Sequence, residues 1–331
     1  MKNIDSFIFA LNAVTPIIAM VAIGYFLKRA GALNEAFSNV GNRLVFRVLL
    51  PAMLFLNVYK IENFEKIEMG YVFYALLVTF TVFLTAFFTS GFVTRESPKR
   101  GVLIQGIFRS NYALIGIPLA GSLFGEEGTA VAAVLSAFAI PFFNVLAVLS
   151  LSVFGKNEKK PSVKGILLGI IKNPLILGVA AGFCALLIRS FFVSAGISFR
   201  LSDVAPVMKV LEYLSGAATP LALIVLGAEF EFSAIKEMKK EIVFGTAMRS
   251  LAVPVFGIGC AYLFFRDAFT GAQFAALSAL FTTPVAVSSV PMAQEMGCDA
   301  KLAGQFVVWT TVASAFTVFV SSFVLRSAGI F

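Results

Sequence analysis

RSNYALIGIPLAGSLFG, residues 109–125, is the stretch of this chain that decides its fold. It lies within an apolar run long enough to cross a membrane, yet it contains Ser110-Asn111, three glycines and Pro118. Proline inside a helix removes a backbone donor and clashes with the preceding turn, at a cost of about 3 kcal/mol. In hydrocarbon such a break is tolerated only where protein or a water-filled cavity surrounds it. A second stretch of this kind, TTPVAVSSVPMAQEMG at 282–297, lies in the other half of the chain, and the pair predicts a binding site at the bilayer midplane.

The composition is that of a membrane protein. Hydrophobic residues make up 59% of the chain and charged residues 13%, whereas soluble domains carry about 25% charged residues. A spanning helix needs about 20 apolar residues, and the continuous runs differ from barrel strands, which are about 10 residues long and alternate in polarity. We therefore predict an all-α polytopic membrane protein. Its ten transmembrane segments are 7–27, 43–59, 71–93, 101–124, 129–154, 166–188, 208–228, 242–265, 272–296 and 302–325.

The charged residues behind the net charge of +8 lie mostly in the loops between these segments, and successive loops alternate in their bias toward basic residues. The positive-inside rule places basic loops in the cytoplasm, which puts both termini outside. We therefore interpret the basic balance as membrane topology and expect the lipid bilayer, with no nucleic acid, as partner. The basic residues assigned to the inner side are Lys28, Arg29, Arg43, Arg95, Lys99, Arg100, Lys156, Lys159, Lys160, Lys164, Lys236, Lys239, Lys240 and Lys301.

Several classes of chemistry lack the residues that they need. The chain has no histidine, which removes histidine-based zinc sites and Ser-His or Cys-His nucleophiles. Cys184, Cys260 and Cys298 are scattered in a way that indicates small core residues and no metal site. No GxxxxGK[ST], HExxH or GxSxG motif is present. We expect neither an enzyme nor an ATP-driven pump.

The two halves of the chain share an order of proline, glycine and polar positions. TPIIAMVAIGYF (15–26) aligns with NPLILGVAAGFC (173–184), and Pro51 matches Pro220. The spacing of Asn111 and Pro118 equals that of Pro284 and Pro291. Five segments per half is an odd number, so the second half enters the membrane with opposite polarity. This predicts two inverted five-helix repeats, 1–155 and 156–331, with segments four and nine broken; chance similarity of apolar sequence is the alternative.

The broken segments supply the candidate substrate-binding residues. Half-helix N-termini favour an anion, and half-helix carbonyl ends favour a cation or a donor. The amide of Asn111 donates and accepts, and hydroxyl groups such as those of Ser110 and Thr283 add further contacts; helix packing is the alternative role for these small polar residues. Asn144, on segment five, needs a partner in an apolar stretch, either a ligand, Asn111 or a neighbouring carbonyl. The full set of substrate-binding candidates is Asn111, Asn144, Pro118, Pro284, Pro291, Ser110 and Thr283.

Charged residues within the segments are few. Arg47 and Arg109 lie within reach of the inner interface, so we expect their side chains to snorkel to it. Glu229 and Glu231 are expected in the inner headgroup layer. Glu295, beside Gln294, has two interpretations: it binds a coupling cation or proton, or it caps the helix end near Lys301.

RSNxxxxGxPL at 109–119 and PxAxxxLGxxxE at 220–231 are motifs through which the whole chain resembles the auxin efflux carrier family, in its short bacterial form. The resemblance implies a scaffold of segments one, two, six and seven, and a transport domain of segments three to five and eight to ten that moves as an elevator. It implies a crossing of segments four and nine, either at Pro118 and Pro291 or at Asn111 and Pro284. Contacts to the substrate would come from Asn111 and Asn144.

The resulting hypothesis is a secondary transporter of small organic anions, such as malate, malonate or auxin-like acids, in a bacterial inner membrane. The alternative is a sodium- or proton-coupled carrier or exchanger that uses Glu295, Gln294 and Ser110-Asn111. No metal and no cofactor beyond such a Na⁺ or H⁺ is expected. A homodimer through the scaffold helices is a further expectation.

Overall fold

The computed structural model describes residues 2–60, 69–155, 168 and 171–330, and the side chains from residue 15 onward within those ranges. The predicted boundary between the halves, at 155/156, and the start of segment six at 166 therefore fall at or outside the edge of the described residues. In the described part of the chain all regular secondary structure is helical. The one departure is an isolated antiparallel bridge between Ser110 and Val285.

The first half contains six described helices in chain order. They are α1 (Lys2–Arg29), α2 (Glu35–Leu44), α3 (Leu50–Tyr59), α4 (Met69–Val93), α5 (Ser97–Phe108) and α6 (Ile117–Phe154). A π-turn, Val45–Leu49, makes α2 and α3 one continuous rod, and another, Tyr112–Gly116, leads into α6. Phe124 and Gly125 interrupt α6, and Gly125 has a φ of 69° that favours glycine, so the chain reverses there.

The second half continues the numbering. Its described helices are α7 (Pro174–Ser194), α8 (Ala205–Glu229), α9 (Ala234–Glu237), α10 (Lys239–Ala247), α11 (Val253–Phe265), α12 (Gly271–Thr282), α13 (Ser289–Glu295) and α14 (Ala300–Ser327). A π-turn, Met248–Ala252, joins α10 to α11.

Seven helical stretches among the described residues are long and apolar enough to cross a membrane. They are Glu35–Tyr59, Met69–Val93, Tyr112–Phe154, Pro174–Ser194, Ala205–Glu229, Lys239–Phe265 and Ala300–Ser327. The chain is therefore a polytopic helical membrane protein, and the count of ten spans stays a prediction. Segment nine falls short of a continuous span because it consists of two short helices, α12 and α13.

Two segment boundaries differ from the prediction for local reasons. Segment two begins at Glu35 and not at 43, because the side chain of Asn34 accepts a hydrogen bond from the Phe37 amide and caps a polar first turn. The described helix of segment six begins at Pro174, where the Asn173 side chain caps the Leu175 amide, and it ends at Ser194. The core assignment of Cys184 is wrong, because this side chain is exposed.

Glycines allow two pairs of helices to approach each other closely. Helix α1 packs against α8, where a Cβ on Gly24 would overlap the Ile224 carbonyl and one on Gly227 would overlap the Val21 carbonyl. Helix α3 packs against α7, and a Cβ on Gly182 would lie 2.9 Å from the Phe55 oxygen. Small residues at helix contacts are the usual means of packing within a bilayer, where apolar burial alone drives little association.

The contact at Gly227 predicts a large effect of a single methyl group. We expect Gly227→Ala to destabilise the protein by about 1–3 kcal/mol, because backbone atoms of α1 must move to admit the Cβ. The measurement is the melting temperature of the purified protein in detergent. Gly216→Ala on the same helix is the matched control, since nothing lies within 4 Å of its Cβ position. Equal melting temperatures for the two variants would contradict this packing.

Candidate functional site

The two interrupted segments meet in the interior of the protein. The backbone N–H of Asn111 donates to the Pro284 carbonyl at 2.8 Å, beside the bridge between Ser110 and Val285. The hydroxyl oxygens of Ser110 and Thr283 lie 2.6 Å apart. The unwound backbone of one segment thus pairs with that of the other, as a membrane interior requires.

The crossing lies at Asn111 and Pro284, and the alternative at Pro118 and Pro291 is wrong. Proline is tolerated in the first turn of a helix, where the amide lacks an intrahelical partner. Pro118 lies just after the π-turn Tyr112–Gly116 within one continuous helical run, and it is exposed, so it does not interrupt segment four. Pro291 is buried as the third residue of α13. Pro284 does break its segment, because the preceding Thr283 is forced into an extended conformation, with ψ at 152°.

Arg109 is buried at the crossing, so the prediction that it snorkels to the interface is wrong. Its side chain is 4% exposed. One terminal nitrogen donates to the Asn144 Oδ1 at 2.8 Å and to the Ser288 hydroxyl at 2.9 Å. The other donates to the Gln105 Oε1 at 3.4 Å and lies 2.9 Å from the Met292 sulfur. All four partners are neutral, and none of the ion pairs in the described part of the chain involves Arg109.

A second buried arginine, Arg249, was missed by the sequence reasoning. It is 1% exposed and belongs to the π-turn before α11. Its guanidinium donates to the Thr283 carbonyl at 2.6 and 3.0 Å and to the Leu280 carbonyl at 3.0 Å, both at the end of α12. It also reaches the last carbonyl of α5, that of Phe108, at 3.4 Å. Arg249 therefore pairs the carbonyls that the two interruptions leave free.

The two asparagines have different surroundings. Asn144 is 1% exposed; its oxygen accepts from Arg109, and its nitrogen donates to the Ile140 carbonyl at 3.0 Å. Of the partners predicted for Asn144, the neighbouring carbonyl is thus present. Asn144 contacts Arg109 and not the predicted Asn111. Asn111 is 8% exposed, and its Nδ2 is a buried donor with no partner among the described residues.

Two connected cavities adjoin these residues. The smaller, which we call the crossing cavity, has a volume of about 50 Å³ and is lined by Arg109, Asn111, Asn144 and Ser288, with Leu54 opposite. The larger, which we call the vestibule, has a volume of about 720 Å³, within the range of about 300–1,000 Å³ usual for small-molecule sites. Both are lined by Leu50, Met53, Asn111, Ala113 and Ser288, and the vestibule extends to Pro118, Asn57 and Ser215.

Gln294 and Glu295 lie at the far end of α13 from the crossing. Glu295 forms an ion pair with Arg47 at 3.3 Å and approaches Arg43 at 4.0 Å. Its expected neighbour Lys301 pairs instead with Glu231, at 2.9 Å. The oxygen of Gln294 accepts from the Asn42 amide, and its nitrogen donates to Asn39 at 2.9 Å. These two predicted coupling residues therefore contact the α2–α3 rod, and the crossing residues are elsewhere.

The family model for membrane transport proteins matches residues 9–322. The chain belongs to the auxin efflux carrier family of membrane transport proteins. This confirms the family resemblance of the sequence motifs.

Two similar proteins align over nearly the whole chain and a third over about two thirds of it. An "uncharacterized transporter" of Methanothermobacter thermautotrophicus is 24% identical, covering 93% of this chain and 96% of the relative. A "putative malonate transporter" of Rhizobium meliloti is 25% identical over 96% of both chains. A transporter of Methanocaldococcus jannaschii is 28% identical over 68% of this chain and 70% of the relative.

The carbonyl contacts of Arg249 predict a structural role. In Arg249→Gln, several buried carbonyls lose their donor, and each unpaired group costs about 1–3 kcal/mol. We expect a clear loss of thermal stability, measured as the melting temperature in detergent. Arg266→Gln, at an exposed arginine, is the control and is expected to change stability by no more than about 0.5 kcal/mol. Unchanged stability of Arg249→Gln would contradict the assignment.

Proposed function

We propose that this membrane transport protein is a secondary transporter of small organic anions whose carboxylate binds at the helix crossing. The observation that carries the proposal is the guanidinium of Arg109, buried with neutral partners only. A buried charge without a counter-charge is strongly unfavourable, whereas a carboxylate placed beside it forms a charge-assisted hydrogen bond. Asn111 lines the same cavities, and its Nδ2, which has no partner among the described residues, would supply a second contact.

The local backbone also favours an anion. Asn111 precedes the helical run that starts at Tyr112, and both residues line the crossing cavity. The first amides of this run therefore lie at the end of the helix that borders the cavity. Such amides lack intrahelical partners and carry about half a positive charge in total. A carboxylate between these amides, Asn111 and Arg109 would therefore meet donors on several sides. Asn144 holds the Arg109 side chain in place and so has a positioning role.

The size and polarity of the cavities indicate a small acid. Polar side chains line the crossing cavity, whereas much of the vestibule wall is apolar. The apolar residues of that wall include Pro16, Ile17, Met20, Ala222, Leu223 and Val287. The relative named as a putative malonate transporter supports a mono- or dicarboxylate as substrate. Leu54 also lines the crossing cavity and makes part of its wall apolar.

For the transport cycle we propose ten transmembrane helices in two inverted repeats, 1–155 and 156–331. Matched positions of the two halves support this. Ser110 matches Thr283 and contacts it, and Gly24 packs on the Ile224 carbonyl as the matched Gly182 packs on that of Phe55. In the proposal, segments one, two, six and seven form a scaffold that also dimerises. Segments three to five and eight to ten carry the site across the membrane as an elevator.

The proposed location is a bacterial inner membrane with both termini outside. The support is the positive-inside rule applied to the basic residues of the sequence, three of which, Lys28, Arg29 and Lys301, line one cavity together with Glu35, Glu229 and Glu231. We call the side of the protein that carries this cavity the basic face. The vestibule leads away from the crossing toward Asn57 and Ser215, which lie in the halves of their helices remote from that face. The described conformation would then be open to the outside.

Coupling through Glu295 is a second candidate with less support. Its carboxylate is neutralised by Arg47, which leaves little charge for a coupling ion. Ser110 and Asn111 contact Thr283 and Pro284, and these contacts account for them without an ion.

The role of Arg109 predicts a loss of anion binding. A hydrogen bond to a charged group contributes about 1.5–3 kcal/mol, so Arg109→Gln should weaken malonate binding roughly 10- to 150-fold. Titration calorimetry on purified protein and uptake into proteoliposomes are the measurements. Arg95→Gln, at an exposed arginine, is the control and should bind and transport as the wild type does. Wild-type affinity in Arg109→Gln for every mono- and dicarboxylate that the wild type binds would overturn the proposed site.

Asn111→Ala separates ligand binding from folding. Because Nδ2 of Asn111 has no partner in the described protein, its removal breaks no internal hydrogen bond. We expect an unchanged melting temperature without ligand and an affinity for malonate reduced roughly 3- to 10-fold, the effect of one neutral hydrogen bond. A fall in stability with unchanged affinity would assign Asn111 to packing instead.

A further inference from the structure

A group of oxygen atoms near the basic face has no assigned role. Ser38 and Asn42 lie one turn apart on α2, Glu229 ends α8, and Gln294 is near the end of α13. We call these four residues the Asn42 cluster. Nδ2 of Asn42 lies 3.2 and 3.3 Å from the two oxygens of Glu229 and also contacts the oxygen of Gln294.

The hydrogen bonding of this cluster is incomplete. Three acceptor oxygens surround a single amide nitrogen, which has only two hydrogens to donate. The Oδ1 of Asn42, a residue that is 0% exposed, has no partner among the described residues. The hydroxyl of Ser38, which is 2% exposed, has none either. Buried polar atoms are normally paired, so two unpaired oxygens on one helix face call for an explanation.

We propose that the Asn42 cluster binds a sodium ion, whose place the Asn42 amide nitrogen occupies when the ion is absent. A half-turn of the amide exchanges its two ends and brings Oδ1 to face Glu229 and Gln294. The ion then has ligands from Asn42 Oδ1, the Glu229 carboxylate, Gln294 Oε1 and Ser38 Oγ. Carboxylate, carbonyl and hydroxyl oxygens suit a hard cation, and the single carboxylate matches a single positive charge.

The surrounding charges leave Glu229 available. Lys301 is engaged by Glu231 at 2.9 Å, and the guanidinium of Arg29 lies over the Tyr25 ring at 5.3 Å. In the described part of the chain, no ion pair includes Glu229. The remaining charged residues that line the adjoining cavity are Lys28 and Glu35.

Access and orientation also fit an ion site. The cavity on the basic face, of about 690 Å³, is lined by Ser38, Glu229 and Gln294, so the cluster has a route to solvent. Asn39 accepts a hydrogen bond from the nitrogen of Gln294 and thereby turns the Gln294 oxygen toward Asn42.

The site joins three elements, α2, α8 and α13, of which α13 also borders the crossing. We assign ion coupling to Glu229 and Asn42 in place of Glu295. This assignment rests on the proposed transport function. A sodium ion bound here would strengthen the contact of α13 with α2 and α8, and it would favour one conformation of the cycle.

The test compares sodium chloride with choline chloride at equal ionic strength, using the full-length protein in detergent. Sodium should raise the melting temperature of the wild type by roughly 2–4 °C at about tenfold excess over its dissociation constant. Glu229→Gln should abolish this shift. The matched control, Glu237→Gln, changes an exposed carboxylate on α9 that forms no ion pair among the described residues, and it should keep the full shift.

Ser38→Ala is the second variant. Because the Ser38 hydroxyl has no partner without the ion, this variant should be as stable as the wild type in choline, with several-fold weaker sodium binding. Equilibrium binding of radioactive sodium should rank the wild type and the variants in the same order of sodium affinity, and this measurement does not depend on unfolding.

Three results would overturn the site: no sodium shift in the wild type, an equal shift in Glu229→Gln, or loss of the shift in the control Glu237→Gln as well. A shift that depends on pH and not on sodium would assign the cluster to a proton. Malonate binding in choline is measured in parallel. If malonate binds but sodium does not shift the melting temperature, only the ion site is overturned. If sodium shifts the melting temperature but no organic anion binds, only the proposed transport function is overturned.

Discussion

The pairing of two unwound backbone stretches in the membrane interior is the constraint on which the remaining structure depends. Backbone groups freed from a helix have no water to bond there, so each must find a protein partner. The Asn111 amide finds the Pro284 carbonyl, and the Thr283 and Phe108 carbonyls find Arg249. The groups that satisfy the broken backbone are thus the same groups that fix the position of the crossing. A substrate site built on this crossing has a rigid frame.

The charges at the crossing favour an anion once the helix ends are counted. The carboxyl ends of α5 and α12 each carry about half a negative charge, which together match the single positive charge of Arg249. Arg109 has no corresponding balance, because its partners Asn144, Ser288, Gln105 and Met292 are neutral. The structure therefore holds one buried positive charge in excess at this place, next to a cavity, and that is the arrangement a carboxylate would complete.

The sequence was sufficient to assign the crossing to two broken segments, but not to choose between its two alternative positions or to find its charges. Polar residues and prolines in an apolar run are local signals, and they identified Asn111, Ser110, Thr283 and Pro284. The choice of Asn111 and Pro284 over Pro118 and Pro291 needed the helix boundaries, because Pro118 lies within a continuous helical run and Pro291 in the first turn of α13. The burial of Arg109 and Arg249 depends on how neighbouring helices pack, and nothing near either residue in the sequence reveals it. Hence the residues that carry the net charge of the site became evident only from the structure.

Helix α13 connects the crossing with the basic face. Its first carbonyl, that of Ser289, accepts from Gln105 at the crossing, while Gln294 and Glu295 at its other end contact Asn42 and Arg47. The seven residues of this helix span only about 10 Å, so its two ends are joined by two turns of hydrogen-bonded backbone. A ligand that shifts one end must therefore alter the contacts of the other. By linkage, an anion at Arg109 and a cation at the Asn42 cluster would each change the affinity for the other by the same factor. In the proposed coupling of sodium to anion transport, helix α13 alone would connect the two sites.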